Sequence, residues 1–425
     1  MRPEVQALRG RDLPTVPDLV RALADVLPLL ARLEHTPQDP RWHAEGDVAR
    51  HTALVFAEAA RLADAEALAP DERLTLLLAA ALHDIGKALT TRPAGDVGEG
   101  DGMRLISPRH ADRGRSYLAY RLPELGLPPP VLRDVLALVG HHHDVPRVLE
   151  AAAPAAYRRL ARQVRLPLLY LLEQADLRGR VGEGQAGRLD DLELFRMQAQ
   201  DYGLWDAADP YRAWAEVVGA ALPGAPPALL DRTLGQGLLD HEAGRIQMPE
   251  EAVARAYRAR RGFAELVVVC GPSGSGKSTW IAGTLPDHEV VSLDDLRARL
   301  TGRRADQSMN GQVMRAAREA LRAALRRGGK VVWDATGLRR DARRMVLGLG
   351  LDYGALTTLA VFQPQPGDLG TRNLGRAHAV PGGVLAAQLA SAEFPYLPEA
   401  HRTLWVDGAG QTTGQAGFAA GLSWS

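Results

Sequence analysis

Leucine and alanine recur three and four residues apart through most of the first 245 positions. DLVRALADVLPLLARLEH, ARHTALVFAEAARLADAEAL, PDERLTLLLAAALHDIGKAL, PVLRDVLALVGHHH and RLPLLYLLEQADLRGR all keep that spacing, which gathers apolar side chains on one face of an α-helix. Prolines and glycines separate these segments. RPAGDVGEGDG and RGRVGEGQAGR lack the period and read as mobile loops. The pattern predicts an all-α domain over residues 1–245.

From about residue 246 the pattern changes. PEEAVARAYRARRGF reads as an amphipathic helix opened by proline and two glutamates. Short β-branched runs then alternate with helical segments: ELVVVC, a helix after GSGKST, HEVVSL, a helix from DDLRARL, KVVWDAT and ALTTLAVFQ. Such alternation implies a parallel sheet with crossover helices, so residues 246–425 are predicted to form an α/β domain. The glycine-rich tail GAGQTTGQAGFAAGLSWS is expected to be loosely held.

Composition refines this in three places. A chain of 425 residues exceeds one ordinary core, which fits two domains. Its 51 basic and 51 acidic residues cancel, so no global field draws it to nucleic acid or membrane, and any nucleic-acid site must be a local patch. Only Lys87, Lys277 and Lys330 are lysines, and two of those three fall inside the motifs discussed below. The single cysteine, Cys270, cannot form an intramolecular disulfide. With no apolar run near the roughly 20 residues that span a bilayer and no apolar leader in MRPEVQALRGRDLP, a cytoplasmic protein with no membrane partner is expected.

Gly271-Pro-Ser-Gly-Ser-Gly-Lys277-Ser278 fits G-x-x-x-x-G-K-[ST] between a predicted strand and helix, the context that distinguishes a phosphate loop from a plain glycine turn. Glycines let backbone N–H groups curl around phosphates, Lys277 neutralises the β and γ oxygens, and Ser278 can ligate Mg²⁺. Gly271, Ser273, Gly274, Ser275, Gly276, Lys277, Ser278 and Thr279 are therefore the predicted site for ATP or another NTP with Mg²⁺. In VVSLDDLRARL, Asp294 follows a strand and Arg297 lies one helical turn on. A carboxylate there can take a hydroxyl proton, and an arginine can grip an anionic acceptor. Asp334 closes the strand in VVWDATGL, and TRNLGRAHAVP sets Arg372 and Arg376 four apart.

The order G-x-S-G-S-G-K-S-T, D-D-x-R, V-x-W-D-A-T and R-N-x-x-R followed by A-V-P resembles the 5′-hydroxyl polynucleotide kinases of bacteriophage and bacterial RNA repair, over roughly residues 262–407. The resemblance implies that Asp294 is the general base and that Arg297 holds the phosphate 3′ to the acceptor nucleotide. It further implies that Asp334 lines the acceptor site and that Arg372 and Arg376 belong to a lid over the ATP phosphates. Asp294, Lys277 and Arg376 are then the catalytic candidates of this half. One departure stands out: the phage enzyme has a polar residue where Gly337 stands.

Eight of the twelve histidines lie between residues 35 and 143. His51, His83-Asp84, His110, His141-His142 and Asp176 form the series H…HD…H…HH…D. It resembles the HD phosphohydrolase superfamily in its two-metal version, and the ligand types suit Mn, Fe, Ni or Zn. Lys87, one turn from Asp84, is the candidate for steadying the phosphate. His43 and Asp47 are spaced to share a helical face with His51, as supporting or phosphate contacts. His143, with His35, His241, His288, His378 and His401, reads as surface or structural. The flanks WHAEGDVARHT and EQADLRGR are similar to the HD module of bacterial tRNA nucleotidyltransferases, whose phosphoesters include 2′,3′-cyclic phosphate.

Together the two halves resemble the bacterial end-healing enzymes called HD-Pnk. That resemblance implies a bifunctional enzyme acting on RNA or DNA ends that carry 5′-hydroxyl and 2′,3′-cyclic phosphate, with a separate nucleic-acid ligase downstream. Two rival readings share the motifs: a small-molecule kinase fused to an HD nucleotidase, and a kinase with a non-catalytic, nucleotide-sensing HD module. A homo-oligomer stays open.

Overall fold

The computed structural model describes residues 1–94, 104–182, 185–303, 306, 308–374 and 380–418. The chain divides into two compact units, Met1–Pro210 and Tyr211–Ser425.

The first unit is helical. Its framework is α1 (Val48–Ala65), α2 (Pro70–Leu82), α3 (His110–Ala119), α4 (Pro129–His141), α5 (Leu166–Gly179) and α6 (Gln185–Asp201). Pro70 opens α2, and Glu72 reaches back to accept from the Ala69 N–H at 3.3 Å, so a free backbone donor at the helix start is satisfied. Every residue of α2 from Arg73 to Leu82 is buried. A helix apolar all round belongs at the centre of a domain, and α2 packs against α1, α4 and α5. His83 is its C-cap, after which the chain turns and Lys87 N–H donates to the Asp84 carbonyl at 2.9 Å. The His83-Asp84 pair therefore sits where the most buried helix ends. The segment RGRVGEGQAGR, expected to be a loop throughout, contains the start of α6; RPAGDVGEGDG lies largely outside the described residues.

The second unit holds a six-stranded sheet of β1 (Glu265–Cys270), β2 (Glu289–Ser292), β3 (Lys330–Asp334), β4 (Leu356–Gln363), β5 (Arg402–Asp407) and β6 (Thr412–Ala416). Their spatial order is β2-β3-β1-β4-β5-β6, parallel except for the last pair. All of β4 and five of the six residues of β1 are buried, as expected for parallel strands covered on both faces. The tail was expected to be loose. Thr412–Ala416 instead pairs with β5, because a glycine-rich strand at an antiparallel edge needs backbone bonds more than apolar side chains. The last residues, 419–425, lie outside the described set.

The domain boundary also differs from the expected 245/246. Helices α7 (Arg212–Ala221) and α8 (Pro227–Glu242) share an apolar cluster with α9 (Pro249–Arg255) through Trp214, Val218, Leu234, Leu238, Ile246 and Ala252. Arg402 on β5 donates to Asp231 on α8 at 2.7 Å. Helical periodicity marks a helix but not which core it buries its face in, so the two helices read as part of the first domain. No helix among the described residues is long and apolar enough to cross a membrane.

Candidate metal centre and candidate nucleotide site

Four helices bring the histidines of the first unit together. His51 lies on α1, His83-Asp84 at the end of α2, His110 at the start of α3, and Asp176 on α5. His51 Nε2 is 2.9 Å from Asp176 Oδ1 and 3.7 Å from Asp84 Oδ2. His83 Nε2 is 3.3 Å from Asp84 Oδ2, and His110 Nε2 is 3.2 Å from Asp84 Oδ1. His142 Nε2 stands 3.9 Å from the same carboxylate oxygen. Asp84 is thus the shared centre, with imidazoles on both of its oxygens.

The hydrogen bonds around the rings fix the protons. Nδ1 of His83, His110 and His142 lies 2.9, 2.8 and 2.7 Å from the carbonyls of Ala80, Ser107 and Val139. A carbonyl only accepts, so each Nδ1 carries a proton and each Nε2 faces inward. His110 Nε2 is 3.3 Å from His142 Nε2 and 3.0 Å from His143 Nε2. A shared proton or a cation can lie between ring nitrogens at that separation. His83 Nε2 and Asp84 Oδ1 are buried and make no hydrogen bond of good geometry among the described residues. This donor set fits divalent transition metals, with the backbone carbonyls on Nδ1 orienting each ring.

Charge supports the same conclusion. Burial opposes ionisation of Asp84 and Asp176, but Lys87 and His83 outweigh it at the first and Arg180 at the second, so both carboxyls fall well below their ordinary range. Burial, with His143 and His83 nearby, keeps His142 far below its usual value, and burial with His110 takes His143 to about 3. Ionised carboxylates and neutral imidazoles are the metal-binding forms. His51 differs: burial works against its charge, but Asp176 and Glu45 raise it to about 9, so a cation at Nε2 takes the place of a proton.

Three placements differ from the sequence reading. His141 directs Nδ1 to Asp144 Oδ2 at 2.7 Å, which leaves its Nε2 able to bind a metal, and His143, read as surface or structural, lies with His110 and His142. Helix α4 stops at His141, and beyond it the helical phase no longer governs; the His142 and His143 rings lie with centroids 4.1 Å apart. Asp47 is the N-cap of α1, accepting from Arg50 N–H at 2.8 Å, so His43, Asp47 and His51 do not share a helical face. Glu45 makes the link instead. Its carboxylate accepts from the Val181 N–H at 2.9 Å and lies 2.8 and 2.9 Å from Nδ1 of His43 and His51. Burial pushes Glu45 up, yet these donors hold it at about 2. The only sequence sign of Glu45 was its place inside WHAEGDVARHT.

Lys87 is buried and bridges Asp84 Oδ2 and Gln38 Oε1 at 2.7 Å each. Gly86, beside it, is dictated by packing: a Cβ there would lie 2.0 Å from the His110 carbonyl oxygen. Only glycine lets α3 seat its first residue against the turn that carries Asp84.

Glu45→Gln should keep the shape but lose the anion that orients His51. Outer partners of this kind are worth about 10- to 100-fold in metal affinity. Metal content after dialysis should fall by that order with kinase activity unchanged; full metal retention would show that Glu45 does not orient His51.

In the second unit the phosphate loop leaves the carboxyl end of β1, the central strand, and runs into α10 (Lys277–Thr284). This is where open α/β sheets bind ligands. Gly274 and Gly276 have φ of +84° and +89°. Lys277 Nζ folds back on the loop, donating to the carbonyls of Gly271 and Pro272 at 2.9 and 2.7 Å. Ser278 and Thr279 occupy the first turn of α10. Ser273 is held by Gln388, a residue with no sequence signature.

The acceptor candidates flank this loop. Ser292 of β2 pairs with Asp334 of β3, so Asp294, two residues beyond Ser292, leaves the sheet edge beside Asp334. On α11 (Leu293–Thr301), Arg297 Nη1 is 2.6 Å from Asp294 Oδ1 and Nε donates to Asn310 Oδ1 at 3.3 Å. The Asp294 side chain is 66% exposed and that of Arg297 only 15%, which leaves the carboxylate open to an arriving substrate over a fixed guanidinium. A cleft of about 190 Å³ adjoins them, lined by Leu293, Trp333, Thr336, Gly337, Arg343 and Gln388 among others. Gly337 has φ of +58°, and a Cβ there would lie 2.6 Å from the Val269 carbonyl oxygen, so the polar side chain of the phage enzyme has no room here. Beyond α12 (Asn310–Arg326) and α13 (Arg340–Asp352), Arg372 on α14 (Pro366–Leu374) lies 3.6 Å from Asp368 and also donates to the Gly408 carbonyl. Arg376 falls outside the described residues.

Residues 48–177 match the HD domain family, and residues 266–395 match the AAA domain family. A Multifunctional CCA protein of Alkalilimnicola ehrlichii is 34% identical over 168 residues, 38% of this chain and 36% of that protein. A second, from Thioalkalivibrio sulfidiphilus, is 33% identical over 171 residues, 38% of this chain and 37% of its own length. The chain thus spans little more than a third of these curated relatives. It joins an HD domain to a P-loop kinase-like AAA domain.

Proposed function

We propose that the protein heals broken RNA ends: the HD domain removes 2′,3′-cyclic phosphate or 2′/3′-phosphate, and the kinase domain moves the γ-phosphate of an NTP to a 5′-hydroxyl. The observation that carries this reading is the joining of an HD domain with a histidine–aspartate cluster and a P-loop domain in one chain. On one small molecule the two would oppose each other, whereas on the two ends of a broken strand they act in series. The relatives that align are called Multifunctional CCA proteins, which favours RNA ends as substrate.

In the HD domain, His51, His83, Asp84, Asp176, His110 and His142, together with His141 or His143, would hold two divalent transition metals. When bound, these supply Lewis-acid polarisation of phosphoryl oxygens and activate water at neutral pH. Lys87, held by Gln38, balances charge at the phosphoester. His43 remains neutral, because burial and the Lys87 charge lower it to about 4. In the kinase domain, Asp294 takes the proton of the 5′-hydroxyl as it attacks the γ-phosphorus. Lys277 gathers the β and γ oxygens, Ser278 would hold Mg²⁺, and Arg372 would meet the phosphates. Arg297 grips the phosphate on the 3′ side of the acceptor nucleotide, and Asp334 lines its site.

A second reading, a small-molecule kinase, shares the phosphate loop and the cleft beside Trp333. Steady-state phosphorylation of a 5′-hydroxyl oligoribonucleotide and of the matching free nucleoside separates the two. The end-healing reading expects the oligonucleotide to be the better acceptor in kcat/KM. Preference for the nucleoside would establish the small-molecule kinase instead.

A further inference from the structure

The phosphate loop is held on one side by a helix that contains no buried residue. That helix, α15 (Gly382–Ser391), reads GGVLAAQLAS. Its apolar side chains are unusually open, and Val384 is 44% exposed. Its polar hold on the loop is Gln388. Oε1 accepts from the Ser273 N–H at 2.9 Å, and Nε2 donates to Ser273 Oγ at 3.0 Å. Both bonds of one amide therefore go to one residue of the phosphate loop.

Gln388 is also in the wall of the cleft beside Trp333, Thr336 and Gly337. The start of α15 is fixed in turn to α14. Asn373 Nδ2 donates to the Val380 carbonyl at 2.6 Å, and Asn373 Oδ1 accepts from the Val380 N–H at 2.9 Å. The helix that bears Arg372, the cleft wall and the phosphate loop thus form one hydrogen-bonded sequence, with Gln388 as its final link.

We propose that Gln388 is a positioning residue that makes nucleotide and acceptor bind cooperatively. An acceptor in the cleft meets α15 through Gln388 and Ser391, the two residues of that helix in the cleft wall, which favours one setting of the helix. Gln388 passes that setting to Ser273 and so to the loop around the phosphates. Ordering completed for the first ligand need not be repeated for the second, and thermodynamic linkage makes the effect equal in both directions. This inference rests on reading the cleft as the acceptor site.

The test is equilibrium binding of a non-hydrolysable ATP analogue with Mg²⁺ to the full chain, with and without a saturating 5′-hydroxyl oligoribonucleotide. In the wild type the oligonucleotide should tighten analogue binding by at least about fivefold, the lower end of ordinary coupling. Gln388→Leu keeps the bulk but has neither hydrogen-bonding atom. It should bring that factor to about one, whatever it does to analogue affinity without oligonucleotide. Ser273→Ala, which loses one of the two bonds, should fall between. A merely structural role would lower both affinities together and leave their ratio intact. Undiminished coupling in Gln388→Leu overturns the proposal, as does absent coupling in a wild type that phosphorylates the oligonucleotide. A wild type that fails to phosphorylate the oligonucleotide removes the acceptor reading itself, and the inference with it.

Discussion

Asp84→Asn should eliminate phosphoesterase activity and leave the kinase at wild-type rate. Asp84 presents one oxygen to Lys87 at 2.7 Å and His83 at 3.3 Å and the other to His110 at 3.2 Å, so it is the one carboxylate facing both groups of imidazoles. The amide keeps its volume but loses the charge and one acceptor oxygen. Outer partners of metal ligands are worth about 10- to 100-fold, so a shared ligand should cost more than about a hundredfold in turnover and most of the bound metal. The buried Lys87 ammonium would also lose its counter-ion, an outcome that costs several kcal/mol when a buried pair is broken. A lower melting temperature of the first unit should therefore accompany the loss. Metal content, phosphoesterase rate and kinase rate on the same preparation check this. Retained metal with retained hydrolysis would remove Asp84 from the centre, and simultaneous loss of kinase activity in a folded protein would show that the sites are not independent.

The second large effect is expected at Asp294 and Arg297. Asp294→Ala should lower kcat by about 10²–10⁴, the usual contribution of a positioned base, at any acceptor concentration. Arg297→Ala should act on the acceptor instead. A desolvated arginine–phosphate contact is charge-assisted and can be bidentate. Its loss should cost about 1.5–3 kcal/mol, or roughly ten- to a hundredfold in acceptor kcat/KM. Nucleotide affinity should be almost unchanged, and a nucleoside lacking the 3′-phosphate should be affected little. The 2.6 Å contact between the two side chains adds a condition: Arg297→Ala also removes the ion pair that holds Asp294, so kcat on the bare nucleoside measures how far the base relies on it. Equal impairment of both acceptors would mean that Arg297 serves Asp294 rather than a phosphate.

The legible parts of the molecule were those in which chemistry demands a residue type at a fixed spacing. Lys277 and its glycines could be read because a phosphate loop has few solutions, and Asp84 because it follows a histidine at the end of an apolar run. What escaped was set by where elements stop or what they pack against. Whether His141 or His143 joins His142 depends on α4 ending at His141. Asp47 matched the spacing of a site residue, yet an aspartate just before a helix is most easily used as its cap. Glu45 and Gln388 act through other residues and carry no motif. The Gly337 departure looked like a missing contact; its left-handed φ and the nearby Val269 carbonyl show a backbone packed too closely for any side chain. Helices α7 and α8 have the same leucine–alanine grammar as the first domain, and only their contacts with Ile246, Ala252 and Arg402 assign them to the second.

The most direct test is to incubate one RNA carrying a 5′-hydroxyl and a 2′,3′-cyclic phosphate with the protein, Mg²⁺, a transition metal and ATP, and to map both ends by mass spectrometry. The account predicts a 5′-phosphate together with loss of the cyclic phosphate, Asp84→Asn blocking only the second change and Lys277→Ala only the first. Both ends left intact by a preparation that hydrolyses mononucleotides and phosphorylates free nucleosides would contradict it.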